Sequence, residues 1–311
     1  MSADKQKIFL GSRGSELART QTAMVVDALR GAWPELDVRI ELIKTIGDER
    51  GVEPIDPRAG RKGIFTSEIE RALGAGEIDI AVHSAKDLPS DATEGLEVSA
   101  ALPRAAVDDV LIQKTPGVFA SLKRSGIIAT GSVRRQHQLH WHRPDLEIVD
   151  LRGNVPTRLR KLINSEWDAI VLARAGIERL GHDLSSGSFV FEKTRFYAEI
   201  LSRTEFLPAG GQGVIALQLR SDDEKTKAIT ERVNHPGTLL CLKAEREFLR
   251  LLQGDCNSPV GVLAAMDGTT MKMRAQIFDL DGKQPRAGEV EGTIEEGAER
   301  LAARLMEQIN G

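Results

Sequence analysis

Apolar positions along the chain recur in two rhythms, and their alternation predicts the fold class. Short β-rich runs at Ile8 to Leu10 and Val38 to Lys44 bracket a stretch, Glu16 to Trp33, whose apolar residues return at helical spacing. That is a βαβ pattern. It returns at Ile78 to Val82, at Ile127 to Thr130 followed by a helix from Ser132, at Glu147 to Leu151 followed by a helix from Asn154, and at Ala169 to Ala173. Strands alternating with helices predict parallel sheets flanked by helices, an α/β fold. In the last third the pattern changes. Helical spacing at Asp222 to Asn234 and Thr238 to Gln253 precedes strand-like runs at Val260 to Met266, Met271 to Asp279 and Glu289 to Thr293, then a closing helix from Glu295 to Gln308. A small C-terminal α+β domain is expected there. Between Gly47 and Gly63 the stretch GDERGVEPIDPRAGRKG has no hydrophobic period and predicts a mobile loop of the lid or binding kind. No internal repeat or low-complexity tract interrupts the pattern.

At 311 residues the chain exceeds the size at which one hydrophobic core stops growing, so two or three domains are expected. Its 41% hydrophobic and 28% charged residues are an ordinary globular mixture. A net charge of −4 gives no global attraction to nucleic acid or to an anionic membrane, so an anionic ligand needs a local cluster of Arg and Lys. Met1 to Lys7 lacks the apolar core of a secretion signal, and no apolar run approaches membrane-spanning length. A cytoplasmic protein is the expectation. Cys241 and Cys256 are the only cysteines, which argues against a disulfide framework and against a zinc site, and no metal is expected.

Basic residues recur where strands give way to helices: Arg13 in GSRGS, Arg134 and Arg135 in ATGSVRRQ, Arg152 and Arg158 in LRGNVPTR. A helix start offers unpaired N–H groups and partial positive charge, so Gly131, Ser132 and Asn154 beside arginines make anion-binding corners. The alternative for each arginine is an ordinary surface ion pair. In IDIAVHSAKDLPSD, His83, Ser84, Lys86 and Asp87 follow a buried-looking strand, at the carboxyl end where open α/β sheets place ligands. Asp87 either stays ionised and stabilises a developing cation or caps a turn. His83 is either a packed, satisfied histidine or a proton carrier. Lys62 in GRKGIF either reaches a bound anion or is a solvated loop charge, and Asp48 in TIGD can make an Asx-turn. Cys256 lies in the turn-rich segment LLQGDCNSPVG, a poor place for core filler, whereas Cys241 in LLCLKAE reads as a small buried hydrophobe.

Taken together and in order, GSRGSELA, TIGD, GRKGIF, DIAVHSAKDLP, ATGSVRRQ, LRGNVPTRL, DAIVLARAGIERLG, LPAGGQG and GDCNSPVG resemble the porphobilinogen deaminase (hydroxymethylbilane synthase) family from about Lys7 to Gly261. The resemblance implies two hinged, periplasmic-binding-protein-like α/β domains plus a small α+β domain. The boundaries expected are 1–103 with 207–233, 104–206, and 234–311, with a lid at 47–63. It implies condensation of four porphobilinogen molecules, with loss of ammonia, on a dipyrromethane cofactor held by Cys256 through a thioether, then hydrolytic release of the linear product. Asp87 matches the catalytic aspartate. Lys86, Ser132, Arg134, Arg135, Arg158, Ser84 and Asp48 match cofactor-binding positions, and Arg13, Ser15, Arg152, Gly153, Lys62 and Gln212 match substrate-binding ones. A monomer acting on a small molecule, without nucleic acid or membrane, is implied. Two residues depart from the family pattern: Asp255 precedes the cysteine, where it should raise the thiol pKa and slow loading, and Gly131 replaces a frequent serine. Two other functions compete. A hinged binding protein would use the same arginines for simple anion capture. An acyl-transfer enzyme would use Ser84 or Cys256, but no GxSxG elbow or aligned base supports it.

Overall fold

A computed structural model of the chain describes residues 6–45, 66–253, 259–279 and 284–311. Each of three sheets carries its own helices and core. The first has the order β2-β1-β3-β11-β4, built from β1 (Lys7–Ser12), β2 (Asp37–Leu42), β3 (Ile80–Ser84), β4 (Leu96–Ala101) and β11 (Ile215–Arg220). Its helices are α1 (Glu16–Ala32), α2 (Ser67–Gly74) and α6 (Glu224–Glu231). α1 starts where Ser15 accepts a hydrogen bond from the Ala18 N–H, and it buries Val25, Val26 and Leu29 against Ile8, Leu10 and Ile80.

The second sheet has the order β7-β6-β8-β5-β10-β9. It comprises β5 (Asp109–Gln113), β6 (Ile127–Ala129), β7 (Glu147–Val149), β8 (Ala169–Ala173), β9 (Ser188–Phe191) and β10 (Thr194–Ile200). α3 (Val133–His142), α4 (Val155–Ile163) and α5 (Arg174–Arg179) accompany it. A core covers each face, one around Ile112, Leu159 and Phe196, the other around Leu111, Leu139 and Phe206. The third sheet, β12 (Val260–Asp267), β13 (Thr270–Ile277) and β14 (Arg286–Thr293), is an antiparallel meander packed on α7 (Pro236–Leu251) and α8 (Ala298–Asn310).

The expected elements are present to within a few residues, and Ala169–Ala173 is found as expected. All-parallel sheets are not. β1 pairs in parallel with β2 and β3, and β6 with β7 and β8, but β11 runs antiparallel to β3 and β4, and β5 antiparallel to β8 and β10. The reason is the double crossing between the domains. Residues 102–108 lead from β4 into β5, and 201–214 lead back from β10 into β11, so a strand arriving from the other domain runs against its neighbours.

These two crossings are bonded to each other through Ala105 N–H to Gly213 O (3.1 Å) and Arg104 Nε to Gln212 O (2.9 Å). Glu245 on α7, 0% exposed, then ties them to the third domain. Its carboxylate accepts from Arg104 at 2.6 and 3.1 Å, from Gly211 N–H at 2.6 Å and from Ala264 N–H on β12 at 2.7 Å. A buried carboxylate so fully hydrogen-bonded fixes orientation as much as it adds stability.

Candidate active site at the domain junction

β3 is the central strand of its sheet and is buried on both faces as far as His83, which explains its continuous apolar run. It ends at Ser84, and a single 3₁₀ turn, Ala85–Asp87, brings Lys86 and Asp87 out at its carboxyl end. The Ala85 N–H donates to Val214 O at 3.0 Å, tying the turn to the returning crossing. Gly211, at φ +75°, makes this approach possible: a Cβ there would lie 2.9 Å from the Ala85 carbonyl carbon and 3.0 Å from Lys86 N.

Asp87 lines a cavity with Arg13, Ser15, Gln21, Thr66, His83 and Ser84. The Ser84 hydroxyl donates to Gln21 Oε1 at 2.9 Å and accepts from Gln21 Nε2 at 2.8 Å. An amide cannot take a proton from it, so the arrangement offers no activated serine nucleophile. His83 is buried with Nε2 3.0 Å from Gln218 Oε1.

The second domain supplies charge. α3 is capped by Ser132, and α4 by Asn154, whose side chain accepts from Thr157 N–H at 2.9 Å. From the first turn of α3 both arginines run inward to Asp109 at the start of β5. Arg134 donates at 2.8 Å and Arg135 at 2.7 Å, while Gln212 from the crossing adds a third bond at 2.9 Å. Asp109 is 0% exposed; burial works to raise its pKa, but the two guanidiniums outweigh it and hold the carboxyl below the usual range. Arg134 also donates to Gln138 and to Leu207 O, and Arg135 to Val171 O.

Lys86 completes the junction. Burial lowers its pKa to about 8, with Arg135 and Arg158 acting in the same direction and Asp87 and Asp109 opposing. Burial, Arg135 and Arg152 likewise lower Arg158 to about 10 against the pull of Asp87 and Asp150. Lys86, Asp87, Arg135 and Arg158 therefore lie within electrostatic reach of one another, although two domains supply them.

The remaining expected positions are placed less centrally. Arg152 pairs with half-exposed Asp150 at 2.7 Å. Gly153, at φ +113°, turns its carbonyl to Arg158 Nε at 2.6 Å. Gln212 spends its amide N–H groups on Val107 O and Asp109. At Gly131 a Cβ would stand 2.5 Å from Leu151 O, so this backbone has no room for a serine. Asp48, Lys62 and Cys256, with the 47–63 segment and Asp255, lie outside the described residues. Asp109, Gln21, Thr66 and Arg179 went unnoticed in the sequence. Arg179 donates to Gly213 O at 2.7 Å, its Nε has no partner among the described residues, and burial lowers its pKa to about 10.

A family model described as "Porphobilinogen deaminase, dipyromethane cofactor binding domain" matches residues 8–228, and "Porphobilinogen deaminase, C-terminal domain" matches 239–311. The chain belongs to the porphobilinogen deaminase family. A porphobilinogen deaminase of Moorella thermoacetica is 42% identical over 278 residues, covering 89% of this chain and 85% of that one. That of Syntrophomonas wolfei is 41% identical over 306 residues, covering 97% and 96%. A third, from a Roseiflexus species, is 42% identical over 282 residues, covering 91% and 89%.

The residues present fit the anionic dipyrromethane of this family. Among the described residues the buried Nε groups of Arg134 and Arg135 have no partner, and Lys86, Arg135 and Arg158 carry more positive charge than Asp87 and Asp109 neutralise. Buried cations with unspent donors are a site for carboxylates.

Proposed function

We propose that the chain condenses four porphobilinogen molecules head to tail, with loss of ammonia, on a dipyrromethane carried by Cys256, and then releases hydroxymethylbilane by hydrolysis. The observation that carries this reading is Asp87, set at the end of β3 in a cavity wall and within reach of cations from both domains. Bound dipyrromethane supplies the nucleophilic pyrrole to which the first substrate is joined.

Asp87 stabilises the positive charge that develops at the methylene carbon as the amine departs, and it holds pyrrole N–H groups in line. At ~4 Å and an effective dielectric near 20, such a contact contributes about 4 kcal/mol. Arg135, Arg158, Lys86 and the α3 start at Ser132 take the cofactor carboxylates, helped by the spare Nε of Arg134; Ser84 contacts the cofactor beside them, and Asp48, which only accepts, meets its N–H groups. Arg13, Ser15, Arg152, Gly153 and Lys62 take those of the substrate, and Gln212, whose N–H groups go to Val107 O and Asp109, positions the crossing beside them. Each charge-assisted bond contributes roughly 1.5 to 3 kcal/mol. The domains divide at 1–103 with 207–233, 104–206, and 234–311; β11 sitting between β3 and β4 supports the discontinuous first domain. We further infer a cytoplasmic monomer that uses neither nucleic acid nor membrane, in keeping with its charge of −4. Among the described residues no helix is long and apolar enough to cross a membrane.

The test is the intact mass of protein from a host that makes porphobilinogen, followed by peptide mapping. The expected result is a mass excess of two linked pyrrole units on Cys256. A bare Cys256, even after incubation with porphobilinogen or hydroxymethylbilane, would return the scaffold to simple anion capture.

A further inference from the structure

One wall of the cavity holds a chain of polar groups that the reaction as proposed does not use. Glu70 on α2 accepts a hydrogen bond from Gln218 Nε2 at 2.8 Å, and Gln218 Oε1 lies 3.0 Å from His83 Nε2. A carboxylate only accepts, so it draws the Gln218 N–H to itself and leaves the amide oxygen facing the imidazole. His83 therefore carries its proton on Nε2, and its Nδ1 is an acceptor. The charged groups around the ring are Arg13 from the β1–α1 turn, Arg246 from α7 with Glu70 and Asp91 beside it, and Asp87 on the same cavity. Burial lowers the ring pKa to about 4, opposed by the Gln218 bond and assisted by Arg246 and Arg13, so the imidazole is neutral at neutral pH.

Thr66 supplies the second observation. It stands at the N-cap position of α2, yet its side chain makes no capping bond. The residue is 1% exposed, among the described residues its Oγ1 has no partner, and it lines the cavity. A buried hydroxyl without a partner costs roughly 1 to 3 kcal/mol, which a ligand bond would recover.

Building on the function proposed above, we propose that Nδ1 of a neutral His83 and the Thr66 hydroxyl receive the aminomethyl group of the incoming pyrrole beside Asp87, with Gln218 and Glu70 as positioning residues. An ammonium has three donors and no acceptor, and this corner offers a carboxylate, an imidazole nitrogen and a hydroxyl oxygen. When the C–N bond breaks, its electron pair leaves with nitrogen as ammonia, and the positive charge stays on the methylene carbon facing Asp87. An imidazolium would repel the ammonium and could not accept its hydrogen bond. The corner thus selects the end of the ring that bears the amine, while Arg13 selects the end that bears the carboxylates.

The test uses cofactor-loaded protein whose mass is checked first, so that failure of the proposed function, a bare Cys256, is distinguished from failure of the amine site. Thr66→Val should lower kcat about tenfold and Thr66→Ser should keep it. Gln218→Glu sets a carboxylate against Nε2 and raises the His83 pKa, so activity should fall as pH drops through neutrality, a limb the parent lacks. In the parent, ¹⁵N spectra should show His83 neutral and protonated at Nε2 between about pH 6 and 8. Unchanged kinetics in Thr66→Val, an unmoved pH profile in Gln218→Glu, or a His83 proton on Nδ1 would overturn the proposal.

Discussion

The two walls of the junction are built differently. The first-domain wall sets the neutral, hydrogen-bonded side chains of Gln21, Ser84 and His83 around the carboxylate of Asp87, with Arg13 and Lys86 as its cations. The second-domain wall is cationic, and its arginines are gathered by a carboxylate with no exposure at all. Asp87 and Asp109 each lie at a strand end in the same electrostatic cluster. Asp109 spends its oxygens on three protein donors, whereas Asp87 lines the cavity. In the function proposed above, one wall places the reacting bond and the other neutralises what the growing chain carries.

The comparison breaks most visibly at Asp109. Asp109→Asn leaves two buried guanidiniums without their counter-ion and should cost about 3 to 5 kcal/mol of stability, read by denaturant unfolding. A cost below about 1 kcal/mol would mean that the arginines do not depend on it. Because its folded pKa is lowered, the stability Asp109 confers is present at neutral pH and is lost as pH falls below the ordinary carboxylate range. Arg158→Gln should fold normally and weaken substrate or cofactor binding about ten- to a hundredfold, with kcat little changed once loaded. Equal losses in kcat and kcat/KM would place Arg158 with Asp87 instead. The smallest effect belongs to Lys86. Its charge is present below its pKa of about 8 and fades above it, so cofactor loading should slow by up to about tenfold on the alkaline side. In Lys86→Arg that alkaline limb should vanish.

Much of this arrangement is legible from sequence, and the parts that are not share a cause. The β3 run and the turn carrying Asp87 are read from a local apolar block followed by HSAKDLP, and Ser132 and Asn154 are read as caps from their chemistry alone. Arg134 and Arg135 read as part of an anion-binding corner or as surface ion pairs; that both turn inward depends on Asp109, a residue of a separate strand that the local pattern does not connect with them. β5 and β11 escape a periodicity reading, because a short apolar run does not reveal the direction in which a crossing chain will pair. Gln21 and Thr66 are ordinary polar residues by type, and only the cavity between distant segments gives them a role.

The division of labour between the walls is tested most directly by Asp87→Asn, loaded with cofactor and followed by intact mass after addition of porphobilinogen. The account predicts that the loaded protein forms and binds substrate, while successive pyrrole additions slow by about 10² to 10⁴. Additions at close to the parent rate would contradict it and move the chemistry away from Asp87.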